Sequence, residues 1–329
     1  MHPLLMVIAS PSTYDTRPIA LLKRCPVANV TPLVSSDALA AAAGVEWVMV
    51  KDERTRMGMG SFKALGAAYV IACDAVDGVA SDRTYITASA GNHGLSVAAG
   101  AAAFGARAVV YIAETVPESF ADRLKEHGAT VVRDGATYEH SMAAAASAAV
   151  DNGWVLLSDS SWEGYIDRPY KLMEGYLVLM AEVIETLDAV PTHIFLQAGV
   201  GGLAGAMAAL ARAAWADAPQ IIVVEPDAAP ALYGSIRVGT PCKSPGPISA
   251  MGRLDCKEPS LIALKGLAHD ADSFMLLTEA EGEAGHIAAQ DAGLASTPSG
   301  ASGIAGMLVH PDLPADARVL VILSEEAEP

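Results

Sequence analysis

Nine short apolar runs recur along the chain with Ala-rich or mixed helical stretches between them: EWVMVKDE at 46–53, RTYITAS at 83–89, ARAVVYIA at 106–113, ATVVRD at 129–134, GWVLLSD at 153–159, THIFLQ at 192–197, QIIVVEP at 220–226, DSFMLLT at 272–278 and RVLVILS at 318–324. Alternation of this kind predicts an α/β fold built on parallel sheets flanked by helices. Ile221 to Val224 and Val319 to Leu323 are apolar without a break, which a strand needs only where both its faces are covered, so they belong to sheet centres. Nine strands fit two sheets better than one. No fixed-period repeat interrupts the pattern, and GTPCKSPGPISAMG at 239–252 reads as a surface loop.

Leu95 to Ala113 comes closest to a membrane span, but it is made largely of Ala and Gly and is interrupted by Arg107. Its small residues suit a helix packed tightly on a sheet, ended by Gly105, with ARAVVYIA continuing as a buried strand.

Composition narrows the class. The 329 residues are 52% hydrophobic and 18% charged, which excludes a disordered chain and suggests about two domains. With 21 Lys and Arg against 38 Asp and Glu, the net charge of −17 argues against nucleic acid and anionic membrane as partners. Cys25, Cys73, Cys242 and Cys256 show no C-x-x-C spacing, so reduced thiols are expected rather than a disulfide framework or thiolate metal cage. The start, MHPLLMVIAS, has no Lys or Arg ahead of its short apolar run and is a poor export signal. A cytoplasmic enzyme is the expected class, with no H-E-x-x-H or clustered Cys/His metal motif.

Three segments carry candidate chemistry. In MGMGSFKALGAAY, Gly58 and Gly60 permit an unusual backbone path, and Ser61 is a plausible N-cap for a helix with Lys63 in its first turn. The positive end of the helix dipole disfavours an ammonium, so Lys63 is expected to be tuned toward the neutral amine that forms Schiff bases. In THIFLQAGVGGLAGAM, a strand leads through Gly199, Val200, Gly201 and Gly202 into a helix, and the exposed N–H groups of such a turn cradle phosphate. The same turn satisfies a loose dinucleotide fingerprint, Gly199-x-Gly201-x-x-Ala204, with Glu225 ending the next strand where an acid would hold a ribose hydroxyl. A nicotinamide enzyme is therefore a rival reading. In TASAGNHGLS, Ser89, Gly91, Asn92, His93 and Gly94 lie between a strand and a helix and form a second anion site, suited to a carboxylate.

Lys63 in GSFKALGA, the SAGNHG turn, the GVGGLAG loop and the closing strand VLVILS resemble, in this order and over nearly the whole chain, the fold-type II pyridoxal-phosphate enzymes, the tryptophan synthase β and threonine dehydratase group. Within it, TPLV at 31–34, VKDE at 50–53, NGWVLLSDSSWEGY at 152–165 and PTHIFLQAGVGGLAG at 191–205 are most similar to the diaminopropionate ammonia-lyases. The resemblance implies two domains, a large cofactor-binding one from 1–85 plus 163–329 and a small mobile one from 86–162, and a homodimer. It makes Lys63 the Schiff-base lysine, Gly199, Val200, Gly201, Gly202 and Leu203 the phosphate loop, Asn92 the partner of the cofactor's 3′ oxygen and Ser324 the partner of its ring nitrogen. Ser89, Ala90, Gly91, Asn92 and His93 become the substrate-carboxylate site. Asp159 falls where the ammonia-lyases carry an acid near the substrate, able to take the Cα proton or to bind an amino leaving group. A neutral serine at 324 does not force protonation of the ring as an Asp would, which suits direct elimination. The implied reaction is α,β-elimination on a β-substituted L-amino acid, giving a 2-oxo acid and ammonia. A serine/threonine or hydroxyaspartate dehydratase is the second reading, and a non-catalytic pyridoxal-phosphate-binding protein a more distant one.

Two departures bear on the substrate. The ammonia-lyase pattern has an acid just before GNHG, where this chain has Ala90, as threonine dehydratases do; the base that serves the D-isomer is missing. STPSGASG at 296–303 resembles the family's Glu-Ser-Gly-Ala stretch with Pro298 in place of the acid, and proline brings neither charge nor donor. The racemase-like divalent site looks incomplete as well, because the downstream acidic ligand after Glu225 falls on Ala231.

Overall fold

The computed structural model describes residues 3–6, 8–9, 13 and 16–328; part of the N-terminal run assessed above as an export signal lies outside them. Among the described residues ten strands are formed: β1 Leu33–Ser35, β2 Trp47–Asp52, β3 Thr84–Ala88, β4 Arg107–Ile112, β5 Ala129–Arg133, β6 Val155–Leu156, β7 His193–Gln197, β8 Gln220–Pro226, β9 Ser273–Leu277 and β10 Arg318–Leu323. They make two sheets, a six-stranded one in the order β1-β2-β10-β7-β8-β9 and a four-stranded one in the order β5-β4-β3-β6. All neighbours run parallel except β1 against β2. Each of the nine apolar runs becomes a strand. The tenth, β1, is three residues long and too short to show a pattern.

The unbroken apolar runs are explained by what lies on each side of them. Ile194, Leu196, Ile221, Val223, Leu320 and Ile322 face one core, while Phe195, Ile222, Val224, Val319, Val321 and Leu323 face another. Successive side chains alternate across a strand, so β7, β8 and β10 fill both layers only if every position is apolar. In the small sheet, Ile86 and Val109 pack on Ala145 and Ala149 of the helix Tyr138–Asn152, and Tyr85 and Val110 join the main core with Leu95 and Val97 of the helix Asn92–Ala103. Leu95 to Ala113 is a helix end, a turn with Gly105 at φ +68°, and β4. Among the described residues no helix is long and apolar enough to cross a membrane.

Two features set the position of Lys63. The helices Lys63–Val76 and Asp167–Thr186 cross at glycines: a Cβ on Gly66 would come within 2.7 Å of Leu172 and Tyr176, and one on Gly175 within 2.7 Å of the Leu65 carbonyl. Backbone-to-backbone contact of this kind requires glycine. The loop between β2 and Lys63 is anchored by buried charges. Arg56 bonds Glu53 Oε2 at 2.7 Å and Glu182 Oε2 at 2.7 Å, and Lys51 Nζ reaches Glu182 Oε2 at 2.6 Å. Two cations meet two anions, so the cluster is neutral and its groups are paired, the condition under which buried charge is tolerated. Just beyond it Met57 takes φ +53°, a left-handed conformation rare for a side-chain-bearing residue.

Chain order reverses between β7 and β10, neighbours in the sheet although β7 leads on to β8 and β10 arrives from β9. Ligand sites of open α/β sheets form at the carboxyl ends of strands at such a point.

Candidate active site

Lys63 stands at the carboxyl end of β10. Phe62 N–H donates to Ser324 O at 3.2 Å and Glu326 N–H to Gly60 O at 2.8 Å, so residues 60–62 run alongside the end of that strand. Gly60 has φ +70°, and a Cβ there would strike the Glu326 carboxylate at 2.3 Å. The helix begins at Lys63 itself, and Ser61 Oγ accepts the Lys63 N–H at 3.3 Å, one residue ahead of the helical N-cap position at Phe62. Ser324 is buried where β10 ends, its N–H directed to Gly300 O at 3.3 Å.

The Lys63 ammonium forms a short ion pair with Asp159. This corrects the expectation of a neutral amine. Burial pulls the Lys63 pKa down, but the negative charge of Asp159 outweighs it and holds the amine protonated well above the ordinary lysine range. Burial likewise pushes Asp159 up, and the Lys63 charge more than reverses this, keeping the carboxyl far below the usual carboxylate range. The helix dipole is a local effect of a fraction of a charge, and a full charge in contact overrides it.

Asp159 is placed by the WEGY segment. Tyr165 Oη accepts Ser158 N–H at 3.0 Å and donates to Leu156 O at 2.9 Å, bracing the backbone just before Asp159, and its ring stacks on Trp162 at 4.4 Å. On the far side, Ser161 Oγ and Ser260 Oγ are 2.7 Å apart, and Ser161 Oγ accepts the Ile262 N–H at 3.0 Å. Ser260 N–H donates to Val200 O at 3.0 Å, so the segment carrying Asp159 is tied to the glycine turn.

That turn runs Gly199, Val200, Gly201, Gly202 and Leu203. A Cβ on Gly199 would sit 2.9 Å from Cys256 Sγ and 3.1 Å from Arg253 O, and Gly201 has φ +95°. Gly202 opens the helix Gly202–Trp215, whose first-turn N–H groups have no carbonyl one turn earlier to bond. Glu225, which the dinucleotide reading needs for a ribose, is fully buried and turned elsewhere: its carboxyl accepts Leu232 N–H at 2.8 Å and Tyr233 N–H at 2.7 Å.

The turn after β3 faces this site. Ser89 Oγ accepts the N–H groups of Gly91 at 3.2 Å and Gly94 at 3.0 Å, shaping the loop, and Asn92 and His93 begin the helix with their N–H groups in its first turn. The His93 ring is buried and directed inward, Nε2 donating to Leu157 O at 2.8 Å. Burial pushes its pKa down, so the ring is neutral and contributes no charge to an anion. Ala90 is exposed at the tip of the turn.

Other residues here escaped the sequence reading. Asn92 Nδ2 donates to Glu325 Oε2 at 2.6 Å, and Thr297 Oγ1 donates to the same carboxylate. Glu325, the residue after Ser324, thus brings a carboxylate against the 296–303 segment, in which Pro298 supplies none. Arg253 lies 3.7 Å from Glu325 Oε2 and covers Gly91, where a Cβ would meet its Cδ and Nε at 3.4 Å. Tyr176, from the crossing helix, packs edge-on against Phe62 at 4.9 Å, with Lys63 Nζ 6.0 Å from its ring centre.

Comparison with known proteins decides which cofactor this geometry serves. Residues 26–325 match the family described as pyridoxal-phosphate dependent enzyme. The chain belongs to that family. Diaminopropionate ammonia-lyase of Salmonella typhimurium is 34% identical over 74% of this chain and 68% of its own. L-serine dehydratase/L-threonine deaminase of Mus musculus is 33% identical over 64% of this chain and 61% of its own. Among solved structures, diaminopropionate ammonia-lyase from Escherichia coli in complex with an aminoacrylate–PLP azomethine reaction intermediate superposes with a TM-score of 0.87, 28% identity, and coverage of 97% of this chain and 91% of that one.

The residues gathered here have chemistry that would suit the cofactor of that family: the primary amine of Lys63 could take its aldehyde, the helix start with its glycine turn its phosphate, and the Asn92 amide and Ser324 hydroxyl its ring. The turn is narrow, because Cys256, Arg253 and Leu232 press on the positions where side chains would stand.

Proposed function

We propose that the enzyme eliminates the β-substituent of an L-amino acid, L-2,3-diaminopropionate foremost, releasing a 2-oxo acid and ammonia. The observation that carries this reading is the Asp159 carboxylate held against the Lys63 amine on one side, with only Ala90 at the turn on the other. When bound, pyridoxal phosphate supplies the electron sink for the bond broken at Cα.

The chain's own groups supply the rest. Lys63 would hold the cofactor through its amine, giving up its extra proton as it does so; released again as a neutral amine when the substrate amine takes its place, Nζ would be free to take the Cα proton. Asp159 keeps Lys63 in place and binds the β-ammonium of diaminopropionate, a cation that a neutral residue there would not recognise. The N–H groups of Asn92 and His93 bind the substrate carboxylate in the turn shaped by Ser89 and Gly91, and Gly199 to Leu203 bind the phosphate. Ser324 contributes a neutral hydroxyl at the ring nitrogen.

Residues 86–162 act as a small unit closing on 1–85 and 163–329. The four-stranded sheet supports this, although β3 begins at Thr84 and the boundary belongs about there. We take the enzyme to be a cytoplasmic homodimer acting on a small-molecule substrate; the charge of −17 supports the absence of a nucleic-acid partner. Ala90 favours the dehydratase reading as the alternative, with serine, threonine or hydroxyaspartate as substrate.

The test is to incubate holoenzyme separately with L- and D-diaminopropionate, L-serine, L-threonine and hydroxyaspartate, assaying 2-oxo acid and ammonia, with Lys63→Ala as control. Two equivalents of ammonia per 2-oxo acid from L-diaminopropionate alone support the proposal. Preferred turnover of a hydroxy amino acid, with one equivalent, replaces it by the dehydratase reading.

A further inference from the structure

The Tyr176 hydroxyl, on a side chain only 1% exposed, has no acceptor for its proton among the described residues; the Lys63 ammonium beside it can only donate to its oxygen. Unpaired buried hydroxyls are uncommon and call for an explanation. Its direction is fixed by two glycines. A Cβ on Gly66 would lie 2.7 Å from Cε1 of the ring, and one on Gly202 would lie 3.5 Å from Cε2. These two carbons flank the one that bears the hydroxyl, so the oxygen sits in the gap between the first turn of the Lys63 helix and the first turn of the Gly202–Trp215 helix. Phe62, in an edge-type contact with the ring at 4.9 Å, and Leu172 beside Gly66 hold the ring there.

We propose that the Tyr176 hydroxyl donates a hydrogen bond to the phosphate of the cofactor, adding one side-chain donor to an anion site otherwise made of backbone N–H groups. This rests on the reading of Gly199 to Leu203 as the phosphate loop. A helix start offers partial positive charge and N–H donors, and a neutral phenol beside it adds a directed O–H without adding charge. Burial pushes the phenol pKa up, more than offsetting the pull of the Lys63 charge, so the donor proton is retained across the working range. Tyr176 comes from the helix Asp167–Thr186, part of neither the glycine turn nor the Lys63 helix, and so links the phosphate to a third element.

The test compares pyridoxal 5′-phosphate with pyridoxal, which lacks the phosphate, binding to apoenzyme of wild type and Tyr176→Phe. Affinity is read by quenching of protein fluorescence and the phosphorus environment by ³¹P NMR. Phenylalanine keeps the ring and its packing, and a circular dichroism melt checks that the variant is folded. A hydrogen bond to a charged acceptor predicts that Tyr176→Phe weakens pyridoxal phosphate by roughly tenfold or more, leaves pyridoxal unchanged and shifts the ³¹P resonance. Equal weakening of both ligands would show that Tyr176 acts on Lys63 or the ring instead, and would overturn the proposal, as would no weakening of either. If wild-type apoenzyme bound neither ligand, the reading of the phosphate loop would fall with it.

Discussion

Asn92 of the turn after β3 and Glu325 at the end of β10 are joined by a 2.6 Å hydrogen bond from the amide to the carboxylate, a direct link between the two sheets. Burial pushes the Glu325 pKa up, countered by the positive charge of Arg253 and the Thr297 hydrogen bond. The bond uses one of the two N–H donors of the amide and leaves the other for the role proposed for Asn92 at the 3′ oxygen of the cofactor. Replacing Glu325 by Ala removes a charge-assisted bond contributing about 1.5–3 kcal/mol. Amide hydrogen exchange over 89–95 should accelerate in apo Glu325→Ala, and unchanged protection there would show that the link does not restrain the small sheet.

Asp159→Asn should lower turnover of L-diaminopropionate by roughly tenfold to a hundredfold, the loss expected when a charge-assisted bond to the β-ammonium and to Lys63 is removed. The same pair makes apoenzyme stability depend on pH in a defined sense. The depressed Asp159 pKa contributes stability present above the ordinary carboxylate range and lost as pH falls toward the folded value; the raised Lys63 pKa contributes stability present below the ordinary lysine range and lost only in strong alkali. The gap in melting temperature between wild type and Asp159→Asn should therefore be flat near neutrality and shrink in acid.

Ala90→Asp restores an acid at the tip of the turn. Turnover of D-diaminopropionate relative to the L-isomer should rise by roughly tenfold or more, a lower bound for a newly placed general base. A wild-type enzyme that consumes both isomers equally would refute the role given to Ala90.

Glu225 offers a control away from the reaction. Burial pushes its carboxyl from 4.5 up to about 7, against the pull of the Leu232 and Tyr233 N–H groups. Because the folded value is raised, ionising Glu225 costs stability, and the cost grows as pH rises from the ordinary range through about 7. Glu225→Gln should therefore gain in melting temperature relative to wild type between pH 5 and 8, with no dependence of the elimination rate on this group.

How much of this was legible in the sequence follows from the range of each interaction. β7, β8 and β10 announce themselves because a strand covered on both sides must be apolar throughout, and Lys63 and the glycine turn because each is a local motif with a local physical reason. The protonation of Lys63 was misread because its partner lies 96 residues away. Glu325, Arg253 and Tyr176 gave no signal for the same reason: an acid, an arginine in a loop and a tyrosine in an apolar helix are unremarkable until the fold sets them beside Asn92 and Lys63. The Tyr165 brace behind Asp159 was visible only as family resemblance in the WEGY segment.

The neutral cluster of Lys51, Glu53, Arg56 and Glu182 has a consequence for how such sequences diverge. Each of these side chains is buried and paired with another, so a change at one position strands a charge that its neighbours cannot neutralise, whereas loss of a cation together with its anion leaves the interior balanced. Lineages descending from this chain should therefore hold positions 51, 53, 56 and 182 together or exchange them in concert. Because the cluster anchors the loop between β2 and Lys63, that covariation would trace how the placement of Lys63 is inherited, through residues outside the proposed site.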